Sequence, residues 1–203
     1  DASKRVEQLR QRLLKETEDR AAELSTVNAV SSALVAEPEL DALIQIVGDQ
    51  MRQIFGADVV YMALLDQETG MINFPYAYGE TFSPLRLGDG LTSKIIQTGE
   101  PLLINQDLEE KRKEIGASLV GKEASSYLGV PIFGGGQAIG VISVQSLTQE
   151  GQFKEEDVRL LDTIAANVGA ALRNAQLLAE TQTAREMAEE ATRAKSAFLA
   201  NMS

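Results

Sequence analysis

The fold class predicted by the sequence is a mixed α/β domain carried between two long helices. Three observations lead there. Residues 1–36 and 154–203 run almost without breakers and repeat apolar residues at helical spacing. Between them lie all 5 prolines and all but one of the 16 glycines, punctuating β-branched runs and short amphipathic stretches. The last helical stretch, about 50 residues, would extend roughly 75 Å at about 1.5 Å per residue, longer than a compact domain of this size needs.

The elements follow in order. Val6, Leu9, Leu13, Val27, Val30 and Leu34 fit a heptad seam, interrupted in its middle by Glu16, Arg20 and Glu23. The alternative is a single amphipathic helix packed on its own domain. Glu37-Pro38 opens a second helix, with proline suited to the first turn. Its face is Leu40, Leu43, Ile44, Val47, Met51, Ile54 and Phe55, and Gly56 ends it. "ADVVYMALLD" reads as a buried strand, "QETG" as a turn and "MINFPYAY" as a second strand, in which Pro75 marks an edge or a bulge. "LRLGDG" reads as loop, followed by a short helix from Leu91 to Thr98, a strand after Pro101 and another short helix from Asp107 to Ile115. "SSYLGVPIFGGGQAIGVISVQSL" is two strands joined by a glycine turn at Gly134 to Gly136. From Lys154 the chain is helical to its end.

Composition removes whole classes of chemistry. The chain has no cysteine and no histidine. Thiol nucleophiles, disulfides, Cys/His zinc sites, a histidine-ligated haem and Ser-His-Asp catalysis are therefore excluded for this piece. No secretory signal and no run of 18 apolar residues is present, so a soluble, cytoplasmic location is expected. The net charge is −11. Residues 36–153 carry 7 basic and 16 acidic groups, a balance of −9. Such a surface repels phosphate backbones, so no nucleic-acid partner is expected. The run "EEKRKE" from Glu109 reads as a solvated helix face.

Two glycine-rich stretches invite a ligand reading. "FGGGQAIG" precedes a strand rather than a helix, so its glycines supply a hairpin turn and not an anion cradle. "LGDGLTSK" does precede a helix. There Asp89 is a ligand candidate, while Asp89 or Thr92 capping the helix is the plainer account. The aromatic residues Tyr61, Phe74, Tyr76, Tyr78, Phe82 and Tyr127 all fall in the middle of the chain. They can line a pocket with Ser125, Ser126 and Asn105 as polar contacts, or simply fill a core.

The stretches "LRLGDGLTSKIIQTGEPLLINQD", "SSYLGVPIFGGGQAIGVISVQS" and "FKEEDVRLLDTIAANVGAALRNAQL", in this order of elements, resemble the GAF domain, a small-molecule sensor fold. The resemblance covers about Leu40 to Leu178. It implies an α+β architecture, with a central antiparallel sheet and the first and last helices on one face. A pocket would lie on the other face, under the segment from Phe82 to Lys122, with Tyr76, Tyr127, Ser125, Asn105 and Asp89 as the site candidates. Relatives that attach a bilin, or that reduce free methionine sulfoxide, do so through cysteine, which is absent here. Relatives that bind cyclic nucleotides carry an Asn-Lys, Phe, Asp-Glu signature. Phe153 and Asp157 match its later part, but Ser146, Leu147 and Val158 stand in place of the asparagine, lysine and glutamate. The cofactor stays unknown.

The ending "AKSAFLANMS" closely resembles the lead-in to the phosphoacceptor helix of sensor histidine kinases, and both ends read as cuts through longer helices. The resemblance implies residues 1–36 as a signalling coiled coil, 37–178 as the sensor and 179–203 as a linker toward a kinase dimerisation helix. It implies a non-catalytic input domain of a two-component kinase, working as a parallel homodimer. The alternative is a cyclic-nucleotide-binding or purely dimerising GAF domain that controls another output enzyme. A self-contained enzyme using carboxylates such as Asp66 or Asp89 has no use for so long an exiting helix. Within that helix Leu161, Ile164, Val168, Ala171, Ala175 and Leu178 keep a three-four spacing, as do Ala184, Ala188, Ala191, Lys195, Phe198 and Met202. The two sets are out of step by one position near Thr181, a slip suited to a coil with two packings.

Overall fold

A computed structural model describes residues 37–88 and 90–201 of the chain. The N-terminal seam from Val6 to Leu34, Asp89, Met202 and Ser203 lie outside the described residues. Helix α1 spans Glu37–Phe55. Its stripe of Leu43, Ile44, Val47, Met51 and Phe55 is buried, while Ile54 in the last turn is 39% exposed. Strands β1 (Val59–Asp66) and β2 (Met71–Tyr78) follow as a hairpin. Then come β3 (Leu85–Arg86), α2 (Leu91–Thr98), β4 (Leu102–Ile104) and α3 (Leu108–Glu114). The β-hairpin β5 (Ser126–Gly134) and β6 (Gln137–Ser146) leads into α4 (Glu155–Asn201). Gly135 and Gly136, at φ 64° and 87°, form the two-residue turn, a positive-φ pair that only glycine adopts without strain.

The six strands form one antiparallel sheet in the order β3-β2-β1-β6-β5-β4. One correction belongs at its edge. The segment beginning at Leu85 reads as loop, yet Leu85 and Arg86 pair with Ile72 and Met71. Two residues are too few for an alternating pattern to show.

Strand alternation divides the core in two. On β1, Val60 and Met62 face α1 and α4, whereas Val59, Tyr61 and Ala63 face the opposite way. On β5, Leu128, Val130 and Ile132 join the helix side and Tyr127 the other. The helix-side layer is closed by Leu161, Ile164, Ala165 and Val168 of α4. The first half of the expected α4 seam therefore packs inside its own domain. Beyond it, every residue from Gln176 to Arg193 is exposed, Leu177, Leu178 and Met187 among them. Among the described residues no helix is long and apolar enough to cross a membrane.

Candidate functional site

The sheet face turned away from α1 and α4 is covered by α2, α3 and residues 115–124, and a cavity lies beneath this cover. Tyr61 and Phe74 come from the sheet, Thr92 from α2, Leu108 and Arg112 from α3, Phe82 from the loop after β2, and Ser118, Val120 and Lys122 from the covering segment. The enclosed space is about 30 Å³, room for a water or two.

Rings and hydroxyls build its walls. Tyr61 stands edge-on to Phe74 and Phe82, at centroid distances of 5.6 and 4.9 Å, and those two rings stack at 4.8 Å. The Tyr61 hydroxyl lies 2.8 Å from Thr92 Oγ1 and 3.2 Å from the Tyr127 hydroxyl. Tyr127 lies along the sheet across Gly129, where a Cβ would fall 2.6 Å from its hydroxyl oxygen and as close to Ile95 Cδ1. Burial, then the neighbouring Tyr61, pushes the Tyr127 pKa well above the usual tyrosine value. Ser143 is buried on the same face of β6, opposite Tyr61 and Gly129.

Among the described residues, the two charged side chains on the cavity wall are both basic. Arg112 donates from a guanidinium nitrogen to the Ala117 carbonyl at 3.0 Å, and Lys122 Nζ donates to the Gly79 carbonyl at 2.7 Å. Among the described residues no aspartate or glutamate lines the space. Gly90 and Ser118 make a parallel bridge, so these three bonds hold the covering segment down.

Of the five predicted site residues, Tyr127 lines the cavity. Tyr76 does not. Its ring lies in the helix-side core, on the backbone of Gly48, and its hydroxyl donates to Asp49 Oδ1 at 2.8 Å. Burial first, then Asp49, raises its pKa strongly. The cause of the displacement is a bulge. Met62 pairs with Tyr76 but Leu64 with Asn73, so β2 carries one extra residue around Pro75. An extra residue reverses the alternation, so Phe74 and Tyr76 face opposite sides.

Ser125 also stays out of the cavity. Its Oγ donates to the Leu147 carbonyl at 3.1 Å, beside an open depression lined by Asp107, Glu109, Glu110, Glu123 and Glu150. Ser126 Oγ donates to the Gln149 carbonyl. Asn105 is a clip, its amide donating to the Phe153 carbonyl while its Oδ1 accepts from Phe153 N at 3.3 Å. Asp89 falls outside the described residues. Asp66 is a turn residue, its Oδ1 accepting from Glu68 N and Thr69 N; hydrogen bonding by the Thr69 side chain and backbone, then by Glu68, lowers its pKa. Among the described residues no acidic cluster is arranged to hold a metal ion.

The sequence reading missed Thr92, Gln145, Arg112 and Lys122. Thr92 was weighed as a cap, but α2 starts at Gly90 without any side-chain cap bond and the Thr92 hydroxyl turns to Tyr61. For Arg112 a signal existed, since it follows the buried Leu108 by four residues on one helix face.

The comparisons agree with this geometry. A GAF domain family profile matches residues 37–173. The Nif-specific regulatory protein of Azospirillum brasilense is 30% identical over 100 residues, 47% of this chain and 16% of that protein; the chain thus spans about a sixth of that relative's length. The GAF domain of an Acinetobacter phosphoenolpyruvate-protein phosphotransferase superposes with a TM-score of 0.64 at 21% identity, over 76% of this chain and 92% of that one. The free methionine-R-sulfoxide reductase of Neisseria meningitidis, solved with its substrate, gives 0.66 at 18% identity, over 78% and 90%. The chain belongs to the GAF domain family, whose members are generally regulatory sensing domains.

Proposed function

We propose that this domain senses a small molecule in the cavity beneath residues 115–124 and passes its state to an output domain through α4. One observation carries the reading. Strand β5 places Tyr127 in the cavity wall and its next residue, Leu128, in the layer that packs against α4. A shift of β5 at the cavity therefore bears directly on the root of the exiting helix. Any ligand that favours one position of that strand supplies the differential contact a switch requires.

The output we propose is a histidine kinase domain in the same parent chain, working as a parallel homodimer. The resemblance of Ala194 to Ser203 to a phosphoacceptor lead-in supports it, and so do the exposed apolar residues Leu177, Leu178 and Met187. Similarity to a Nif-specific regulatory protein favours a second reading, in which the same input governs another kind of output. The methionine sulfoxide reductase neighbour does not extend to this chain, which has no cysteine. The test is to incubate the parent protein with labelled ATP and look for acid-labile phosphohistidine. Its formation supports the kinase, and its absence from a folded, ATP-binding parent leaves the second reading. Light scattering of the present chain should return twice its 21.9 kDa mass; a clean monomer at micromolar concentration counts against the dimer.

A further inference from the structure

We propose that the ligand is a small flat organic acid, an aromatic carboxylate about the size of benzoate. The inference rests on the cavity being a sensing site and deepens that reading. Its grounds are the sign of the wall and the shape of its rings. In a chain of net charge −11, the cavity wall carries Arg112 and Lys122 and, among the described residues, no carboxylate. Among the described residues the hydrogen bonds of these two cations go to the neutral carbonyls of Ala117 and Gly79. A carboxylate adds the attraction of opposite charges and, to a guanidinium, a bidentate fit, so an incoming acid competes with those carbonyls for both cations. The stacked pair Phe74 and Phe82, with Tyr61 edge-on, offers faces to a flat ring. The hydroxyls of Tyr61 and Tyr127 and the amide of Gln145 then meet polar ring substituents.

Size fits a small ring once the cover lifts. A cavity of about 150 Å³ holds benzene, whereas this one now encloses about 30 Å³. The covering residues Leu119 and Val120 are already 48% and 37% exposed, and the bonds that hold them down include the two cations a carboxylate would take. Ligand binding and release of the cover are therefore one event.

The test uses the present chain and three acid–amide pairs: benzoate with benzamide, 4-hydroxybenzoate with its amide, and nicotinate with nicotinamide. Binding is followed through the ring resonances of Tyr61 and Tyr127. At least one acid is expected to bind about tenfold or more tighter than its amide, and Arg112→Gln or Lys122→Gln to remove that preference. Thermal unfolding of the ligand-free variants shows that they remain folded. Amides binding as well as acids overturn the inference and leave the sensing reading standing. The same division follows if no acid binds but a different class of compound is released from the denatured protein. If nothing binds and nothing is released, both readings fail.

Discussion

Replacing Gly48 by alanine tests the placement of Tyr76 on the helix side of the sheet. A Cβ on Gly48 would come within 2.3–2.4 Å of three carbons of the Tyr76 ring. The ring has nowhere to go, being 5% exposed and tied to Asp49 through its hydroxyl. Gly48 sits inside α1, where alanine would otherwise gain about 1 kcal/mol of helix propensity. Against that stand roughly 1–3 kcal/mol for overpacking and, if the ring tilts, about 1.5 kcal/mol or more for its bond to a charged acceptor. The expected result is destabilisation by roughly 1–3 kcal/mol, read from urea unfolding at constant m. In a Tyr76→Ala background the clash is gone, and Gly48→Ala should instead stabilise by about 1 kcal/mol. A change of sign between the two backgrounds is the signature. If Gly48→Ala stabilises both, Tyr76 does not lie on that helix, and the bulge at Pro75 is misplaced with it.

Other predictions concern the cavity and the exit helix. Tyr61→Phe removes both hydroxyl bonds at the cavity and should cost about 1–3 kcal/mol in thermal or urea unfolding, more than the roughly 1 kcal/mol expected of Tyr127→Phe, which loses one. Tyr76 and Tyr127 hold their protons above the model-peptide value of 10.0 because of burial. Above pH 10 the folded chain thus binds more protons than the unfolded one, so this stability is complete below pH 10 and is lost as pH rises further. Tyr127→Phe should flatten that alkaline loss, as followed by unfolding midpoints from pH 9 to about 11.5. In the parent protein, one alanine inserted after Thr181 should alter output or its regulation, whereas a seven-residue insertion should preserve it; equal output from both removes the slip as a switch.

Most of the fold was legible because its elements are long enough to show a period. Helix α2 runs over Leu91–Thr98 and strand β2 over Met71–Tyr78, as their patterns predict. The site was less legible, for reasons of local geometry. Tyr76 and Phe74 share a parity, and only the extra residue at Pro75 separates their faces. Pro75 was itself visible as an edge or bulge signal, but its position in the pairing is a tertiary fact. Asn105 and Ser125 are polar groups in an apolar neighbourhood, and sequence does not tell a ligand contact from a backbone clip. Arg112 hides in "EEKRKE", where one residue of a solvated run turns inward. Along α4, three-four spacing marks core packing at Leu161 to Val168 and an exposed helix past Gln176, and the period alone does not separate the two.

The central claim, a small molecule held beneath residues 115–124, is tested most directly by mass spectrometry of compounds released on denaturing the purified protein. Ala124→Leu is the control, since Ala124 lines the cavity and a leucine there fills a space of about 30 Å³. One compound near one per chain from the wild type, and its loss from a folded Ala124→Leu variant, is the predicted result. Release of the same compound in equal amount by both, or of nothing by either when the chain also binds none of the added compounds, would contradict the claim.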